Sequence, residues 1–185
     1  MKPNYKYLVM VFIIIFVSII VIFLSNIFIK KDNDTSFKKE EGFIIYIDNR
    51  DIKKNGRATY TSPKVRERSL SEHHISLSKK NDYIKIYFDV INNGRVDAYL
   101  SSINRAMPIC ISLDNQDIAD YVCNHLKYKV YYITGSEVKK NDKFLKNTKT
   151  RMYILYSLDK KYKDINSVVN IKNIDLNLDF EKESK

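Results

Sequence analysis

The chain has no tryptophan, and its 185 residues include only 4 glycines, 3 histidines and 2 cysteines. So few glycines leave no phosphate-cradling loop, and no Gly-x-Ser-x-Gly elbow is there to expose a nucleophilic serine. The histidines are His73, His74 and His125. "EHH" at 72–74 is not the His-Glu-x-x-His that sets two zinc ligands on one helical face. Neighbouring side chains on a strand point to opposite faces, so His73 and His74 cannot share one ion without distortion and read as structural. Cys110 and Cys123 are too few for a zinc ribbon and are not spaced as Cys-x-x-Cys. In an oxidising compartment a disulfide between them would close a loop and stabilise by on the order of 3 kcal/mol. The alternative is two independent buried thiols.

Acidic residues do not assemble a site either. Glu40 and Glu41 fall in a charged stretch, and Asp114, Asn115, Asp117 and Asp120 lie between the cysteines. This second cluster lacks the alternating Asp-x-Asp-x-Asp-Gly of a calcium loop, so it reads as a solvated loop or short helical turn. No catalytic set, metal site or cofactor is implied.

The chain is rich in positive charge, in tyrosine and in phenylalanine, and it carries one long apolar run. The formal net charge is +10, and setting aside Lys2 and Lys6 leaves +8 on the residues beyond the apolar run. Such a field favours anionic partners, lipid headgroups or wall polymers among them. The lysines come in ones and twos among acids, as on a solvated face.

Residues 8–29, "LVMVFIIIFVSIIVIFLSNIFI", carry no charge. As a helix the run reaches about 33 Å, enough to cross a hydrocarbon core. It is longer than a signal-peptide core and ends without a small-residue cleavage site, which predicts an uncleaved anchor. Lysines flank both ends, so charge alone does not orient it. Long domains translocate largely regardless of charge, and the cysteine pair favours an oxidising side. The expected plan is a short cytoplasmic tail at 1–7, a transmembrane anchor at 8–29, a charged linker at 30–42 and an extracellular domain at 43–181.

From Phe43 onward the apolar pattern has period two. Ile84, Ile86, Phe88 and Val90 alternate with Lys85, Tyr87 and Asp89; Leu126, Tyr128, Val130 and Tyr132 alternate with Lys127, Lys129 and Tyr131. Met152, Ile154 and Tyr156 share a face, as do Ile174, Leu176, Leu178 and Phe180. A strand buries such a set on one side and a helix does not. With "FIIYID" at 43–48, "HHISL" at 73–77 and "RVDAYLSSI" at 95–103, seven or so strands predict an all-β, two-sheet antiparallel sandwich, jelly-roll or immunoglobulin-like. Asn93 and Gly94, between two such runs, are expected to form a type I′ hairpin turn joining core strands.

"FDVINNGRVDAYLSSI", followed by "YVCNHLKYKVYYITGSEVKKNDKFLKNTKTRMYILYSL", resembles the secreted or anchored Gram-positive surface proteins of the camelysin/TasA type. The resemblance spans roughly residues 43–158 and rests on an Asn-x-Gly-x-x-Asp-Ala turn, a strand end with Thr134 and Gly135 adjacent, and a strand opening on threonine. It implies a jelly-roll domain and a cell-surface or biofilm-matrix role, with subunits joined by a donated N-terminal strand. An uncleaved anchor would keep a donor strand near Phe43 at the membrane. Camelysins have also been classed as metallopeptidases, but His-Glu-x-x-His is missing from this chain.

These readings converge on a non-enzymatic, membrane-anchored surface module with a structural, adhesion or matrix-assembly role. Its partners would be the membrane, a second strand at an exposed sheet edge, and anionic wall polymer or lipid. An anchored hydrolase and a polyanion-binding module are the alternatives. Nucleic acid is not expected, because the aromatics fall within strand patterns and no recognition motif accompanies them.

Overall fold

The computed structural model describes residues 44–182. The tail, anchor and linker expected at 1–7, 8–29 and 30–42 lie outside them. Among the described residues no helix is long and apolar enough to cross a membrane.

The fold is mostly β, as the period-two pattern requires. The strands are Ile45–Asn55 (β1), Thr59–Tyr60 (β2), Lys64–Arg66 (β3), Ser69–Ser71 (β4), Ile75–Ser76 (β5), Tyr83–Asn92 (β6), Ala98–Arg105 (β7) and Ile109–Ser112 (β8). After the helix Gln116–His125 (α1) come Leu126–Tyr132 (β9), Lys143–Phe144 (β10), Thr148–Leu158 (β11), Val169–Lys172 (β12) and Leu176–Lys182 (β13). They pair antiparallel in three sheets, ordered β1-β6-β11-β9, β10-β7-β13-β4-β3 and β2-β5-β12-β8.

There are three sheets where two were expected, and the chain changes sheet at every connection except β3 to β4. Two of these crossings are made at a positive φ, at Glu72, φ +54°, between β4 and β5, and at Asn173, φ +53°, between β12 and β13. Side chains before and after each turn enter the same core, so alternation in the sequence carries no mark of the change. Ile75 and Leu70 are both fully buried, as are Ile171 and Leu176.

β6 and β11 are the two inner strands of the first sheet, β1-β6-β11-β9. Ile86 lies opposite Ile52 of β1 and Ile154 of β11, and Phe88 lies opposite Met152. The inward residues of all three sheets form one cluster, with Leu100, Leu178 and Phe144 from the second sheet and Ile75 and Ile171 from the third. Long sheet edges are partly covered. The Ile47 amide donates to the Glu67 carbonyl, and the Val138 amide returns beside β9 to the Val130 carbonyl. The second sheet ends in strands of two and three residues, β10 and β3. Short edges of this kind discourage edge-to-edge pairing.

The expected hairpin at Asn93 and Gly94 is not formed. β6 ends at Asn92, β7 begins at Ala98, and the two strands belong to different sheets. The buried Asn92 side chain shapes the crossing by accepting from the Gly94 amide and donating to the carbonyls of Val96 and Phe144. Asn-Gly between alternating runs signals a turn, and here the bonding capacity of Asn92 turns the chain toward another sheet. The tight Asn-Gly turn is instead Asn55-Gly56, after β1. Gly56 has φ +65°, and a Cβ there would lie 2.0 Å from Asp82 Oδ1. Asp82 is buried and accepts from the amides of Arg57, Ser78 and Lys79. Gly56→Ala is therefore expected to destabilise by about 1–3 kcal/mol, measured as the shift in urea midpoint at unchanged slope.

Candidate functional site

Two features of the described residues combine exposed polar chemistry with a defined geometry: a cleft where the sheets meet and the outward face of the four-stranded sheet. The disulfide lies apart from both.

Cys110 on β8 and Cys123 on α1 are bonded, with Cα atoms 5.8 Å apart. The alternative of two independent thiols is thereby removed. α1 forms because Asn115 caps it, accepting from the Asp117 amide at 2.7 Å, while Ala119 and Val122 bury one face. Asp114 accepts from Ser167 Oγ and Asp120 from Gln116 Nε2. The acidic cluster between the cysteines thus caps and braces the helix. Among the described residues no group of three or more metal-ligating side chains converges.

The cleft, of about 450 Å³, is lined by Arg66, Ser71, Asn104, Arg105, Asp175 and Asn177 among others. Behind it lies His73, 1% exposed, while His74 beside it is exposed. The two differ in exposure as expected, although both fall in the connection between β4 and β5 and not in a strand. The Tyr156 hydroxyl donates to the Ile174 carbonyl at 3.1 Å and sits 2.8 Å from His73 Nε2. Since that hydroxyl proton is committed to Ile174, the His73 Nε2–H donates to the Tyr156 oxygen. His73 Nδ1 and the buried Ser71 Oγ then find no hydrogen-bond partner. A serine nucleophile and a histidine base must share a hydrogen bond, and these two do not.

Burial pushes the His73 imidazole down to about 4, with the Asp175 carboxylate and the Ser71 backbone opposing that shift and His74 adding to it. A group held so low is a poor general base near neutrality. Burial also drives the Tyr156 phenol up, helped by Tyr128 and Asp175. The two groups stay neutral as a structural hydrogen-bonded pair. The "EHH" stretch, expected to be structural, resolves into one core residue and one surface residue.

The second feature is the outward face of the sheet β1-β6-β11-β9. Register places Tyr87, Tyr153 and Tyr131 side by side on β6, β11 and β9, with Asp51 of β1 beyond Tyr87. The Tyr131 and Tyr153 rings stack with centroids 5.4 Å apart, and Tyr87 lies 5.5 Å from Tyr153 on its other side. The next row runs Lys53, Lys85, Leu155, Lys129, and the one after it Asn55, Tyr83, Ser157, Lys127. Lys85 Nζ stands 4.9 Å from the Tyr153 centroid and 5.6 Å from that of Tyr83, while Lys53 Nζ stands 5.5 Å from Tyr87. Lys129 pairs with Glu137 at 2.8 Å. On the far side of the tyrosine row, the fully buried Asp89 carboxylate accepts from Arg151 and pairs with Lys149.

Sequence reasoning placed Lys85, Tyr87, Lys127, Lys129 and Tyr131 on the polar side of their strands but did not single them out, and it gave Lys53 no strand. The signal was present in the alternation; which strands are neighbours was not. Asn93 and Gly94 lie in neither feature.

His73 makes acid stability a test of this geometry. Below about 6.5 the unfolded chain binds a proton that the folded chain refuses until about 4. Stability from this group is therefore full above 6.5 and is lost as pH falls toward 4, by about 3 kcal/mol in all. In denaturation between pH 7 and 4, His73→Gln is expected to flatten that part of the slope. An unchanged slope would show that His73 is accessible to protons in the folded protein.

No family model, no curated protein and no solved structure matches the chain.

Proposed function

We propose that the chain is a membrane-anchored bacterial cell-surface protein with a non-enzymatic structural, adhesion or matrix-assembly role. The observation that carries this reading is the disulfide between Cys110 and Cys123. Disulfides persist where the environment is oxidising, and the cytoplasm of a mesophilic bacterium keeps thiols reduced. The uncharged run at 8–29 supplies the means of reaching that environment while remaining attached.

Further support comes from the surfaces that the fold presents. The four-stranded sheet turns a broad face of tyrosines and lysines to solvent, suited to a partner that lies flat on it. Behind the cleft, the histidine is buried and neutral, and the serine that lines the cleft is not bonded to it. The reading includes the finer architecture, in which the first and second sheets face each other as a jelly-roll or immunoglobulin-like sandwich and the third sheet is an elaboration at one end. It also includes kinship with the camelysin/TasA type, for which the strand and turn pattern of residues 43–158 is the argument. Coverage of the long sheet edges weighs toward adhesion through a sheet face over subunit joining by strand addition at those edges.

A membrane-impermeant maleimide applied to intact cells, before and after reduction, tests the placement. The expected result is labelling of Cys110 and Cys123 only after reduction. Labelling that needs lysis and no reductant would put free thiols in the cytoplasm and end the surface reading. In the purified protein, reduction is expected to cost on the order of 3 kcal/mol of stability, read from denaturant midpoints with and without dithiothreitol.

A further inference from the structure

We infer that the outward face of the sheet β1-β6-β11-β9 is a binding surface for a linear polymer that carries phosphate groups at intervals and is not a nucleic acid. The inference deepens the surface-module reading and rests on it for the source of the ligand.

Three observations carry it. The first is that Lys53 and Lys85 lie directly opposite each other in the antiparallel register of β1 and β6. Like charges so placed repel and destabilise the pair. Both ammonium groups find some relief over tyrosine rings, Lys53 over Tyr87 and Lys85 over Tyr153. An anion laid between them removes the repulsion.

Second, the row continues across the sheet as Leu155 and Lys129, with Lys127 one row further on β9. Strands lie about 4.8 Å apart, so the backbone positions of Lys53 and Lys129 are separated by about 14 Å. A single small anion cannot reach both. A chain with anionic groups at intervals can, and its uncharged spacer would pass over Leu155. The positions of these two rows carry four lysines and no acid. Glu137 reaches in to Lys129 from the adjoining hairpin, and Asp51 and the buried Asp89 lie on the other side of the tyrosines.

Third, the tyrosines choose among polyanions. Tyr153 has Tyr87 on one side, Tyr131 on the other and the Lys85 ammonium over it. Its ring faces are occupied, so the centre of the row offers a phenol hydroxyl and not an open stacking surface. Single-stranded nucleic acid gains its affinity from successive bases stacked on free aromatic faces, and a continuous stack of that kind is interrupted at Tyr153. Hydroxyl and ammonium donors aligned across a sheet suit phosphate oxygens. A lipid surface would be held by apolar side chains inserted beside the charges, whereas Leu155 in this row is half-buried between lysines.

The test uses the full-length chain in neutral phosphatidylcholine nanodiscs, with linear inorganic polyphosphate as the probe. Binding is expected to weaken steeply with salt. The triple variant Lys53→Gln, Lys85→Gln, Lys129→Gln should lose about tenfold in affinity, as expected for three partly solvated ion pairs. A control triple, Lys161→Gln, Lys163→Gln, Lys172→Gln, removes the same charge from the loop after β11 and from β12 of the third sheet and should change affinity less than about threefold by screening alone. Replacing Tyr87, Tyr131 and Tyr153 together by phenylalanine keeps the stacked rings, removes the hydroxyls, and should weaken binding a few-fold. Equal losses in the two lysine triples would mean diffuse charge and overturn the site. Tighter binding to phosphatidylglycerol vesicles, or to a single-stranded oligonucleotide, than to polyphosphate would overturn the ligand class. Failure of either kind leaves the maleimide result untouched. Cytoplasmic thiols with intact polyphosphate binding would instead remove the surface reading alone.

Discussion

The hydroxyl of Tyr156 stands where the three sheets meet. Tyr156 belongs to β11 of the first sheet, and its oxygen touches His73 and Ile174. His73 lies where the chain passes from the second sheet to the third, and Ile174 lies where it passes back. The two passages are tied to each other as well, since the Glu72 amide donates to Asp175 Oδ1. In such a setting a polar group left unpaired costs more than a paired one contributes. Both passages, and the positive φ angles at Glu72 and Asn173 that they require, are held by one fully buried phenol. The chemistry around it is structural: a neutral histidine, a neutral tyrosine and backbone carbonyls, closed from solvent by the stacked Tyr128 ring 5.5 Å away.

That junction leaves the opposite side of the first sheet free of structural duty. Its inward residues, Ile84, Ile86 and Phe88 on β6 and Met152 and Ile154 on β11, fill the core. Its outward residues are constrained only by their cross-strand neighbours. There the chain places aromatic rings in contact and lysines directly opposite one another. Cross-strand aromatic pairs support a sheet while opposed lysines weaken it. A surface selected for stability alone would pair Lys85 with an acid on β1, as Asp89 is paired with Arg151 on β11. The contrast between those rows is the physical basis for assigning the binding role to the face and the scaffold role to the junction.

Much of this architecture was legible. Alternation located β6, β9, β11 and most of β13, and it assigned the correct face to nearly every residue in them: Tyr128 and Tyr156 inward, Tyr131 and Tyr87 outward. The disulfide was accessible from the count of two cysteines and an expected compartment. Other elements escaped for identifiable reasons. β2, β4 and β12 are two to four residues long, too short for a period to register. Asn55-Gly56 lies in a polar stretch that carries no hairpin signal, whereas Asn93-Gly94 sits between two strong strands and suggested a hairpin between them.

Local physics decided which residues face inward, because the period of a strand is a property of the backbone and needs no knowledge of the partner. It also decided that strands would dominate and that an apolar run of membrane-spanning length precedes them. Only the tertiary structure could decide which strands are neighbours. That choice depends on contacts between residues far apart in the chain, such as Lys53 with Lys85 and Tyr87 with Tyr153. It separated β6 from β7 through the bonds of Asn92, divided the strands into three sheets, and brought scattered tyrosines and lysines into adjacent rows on one face.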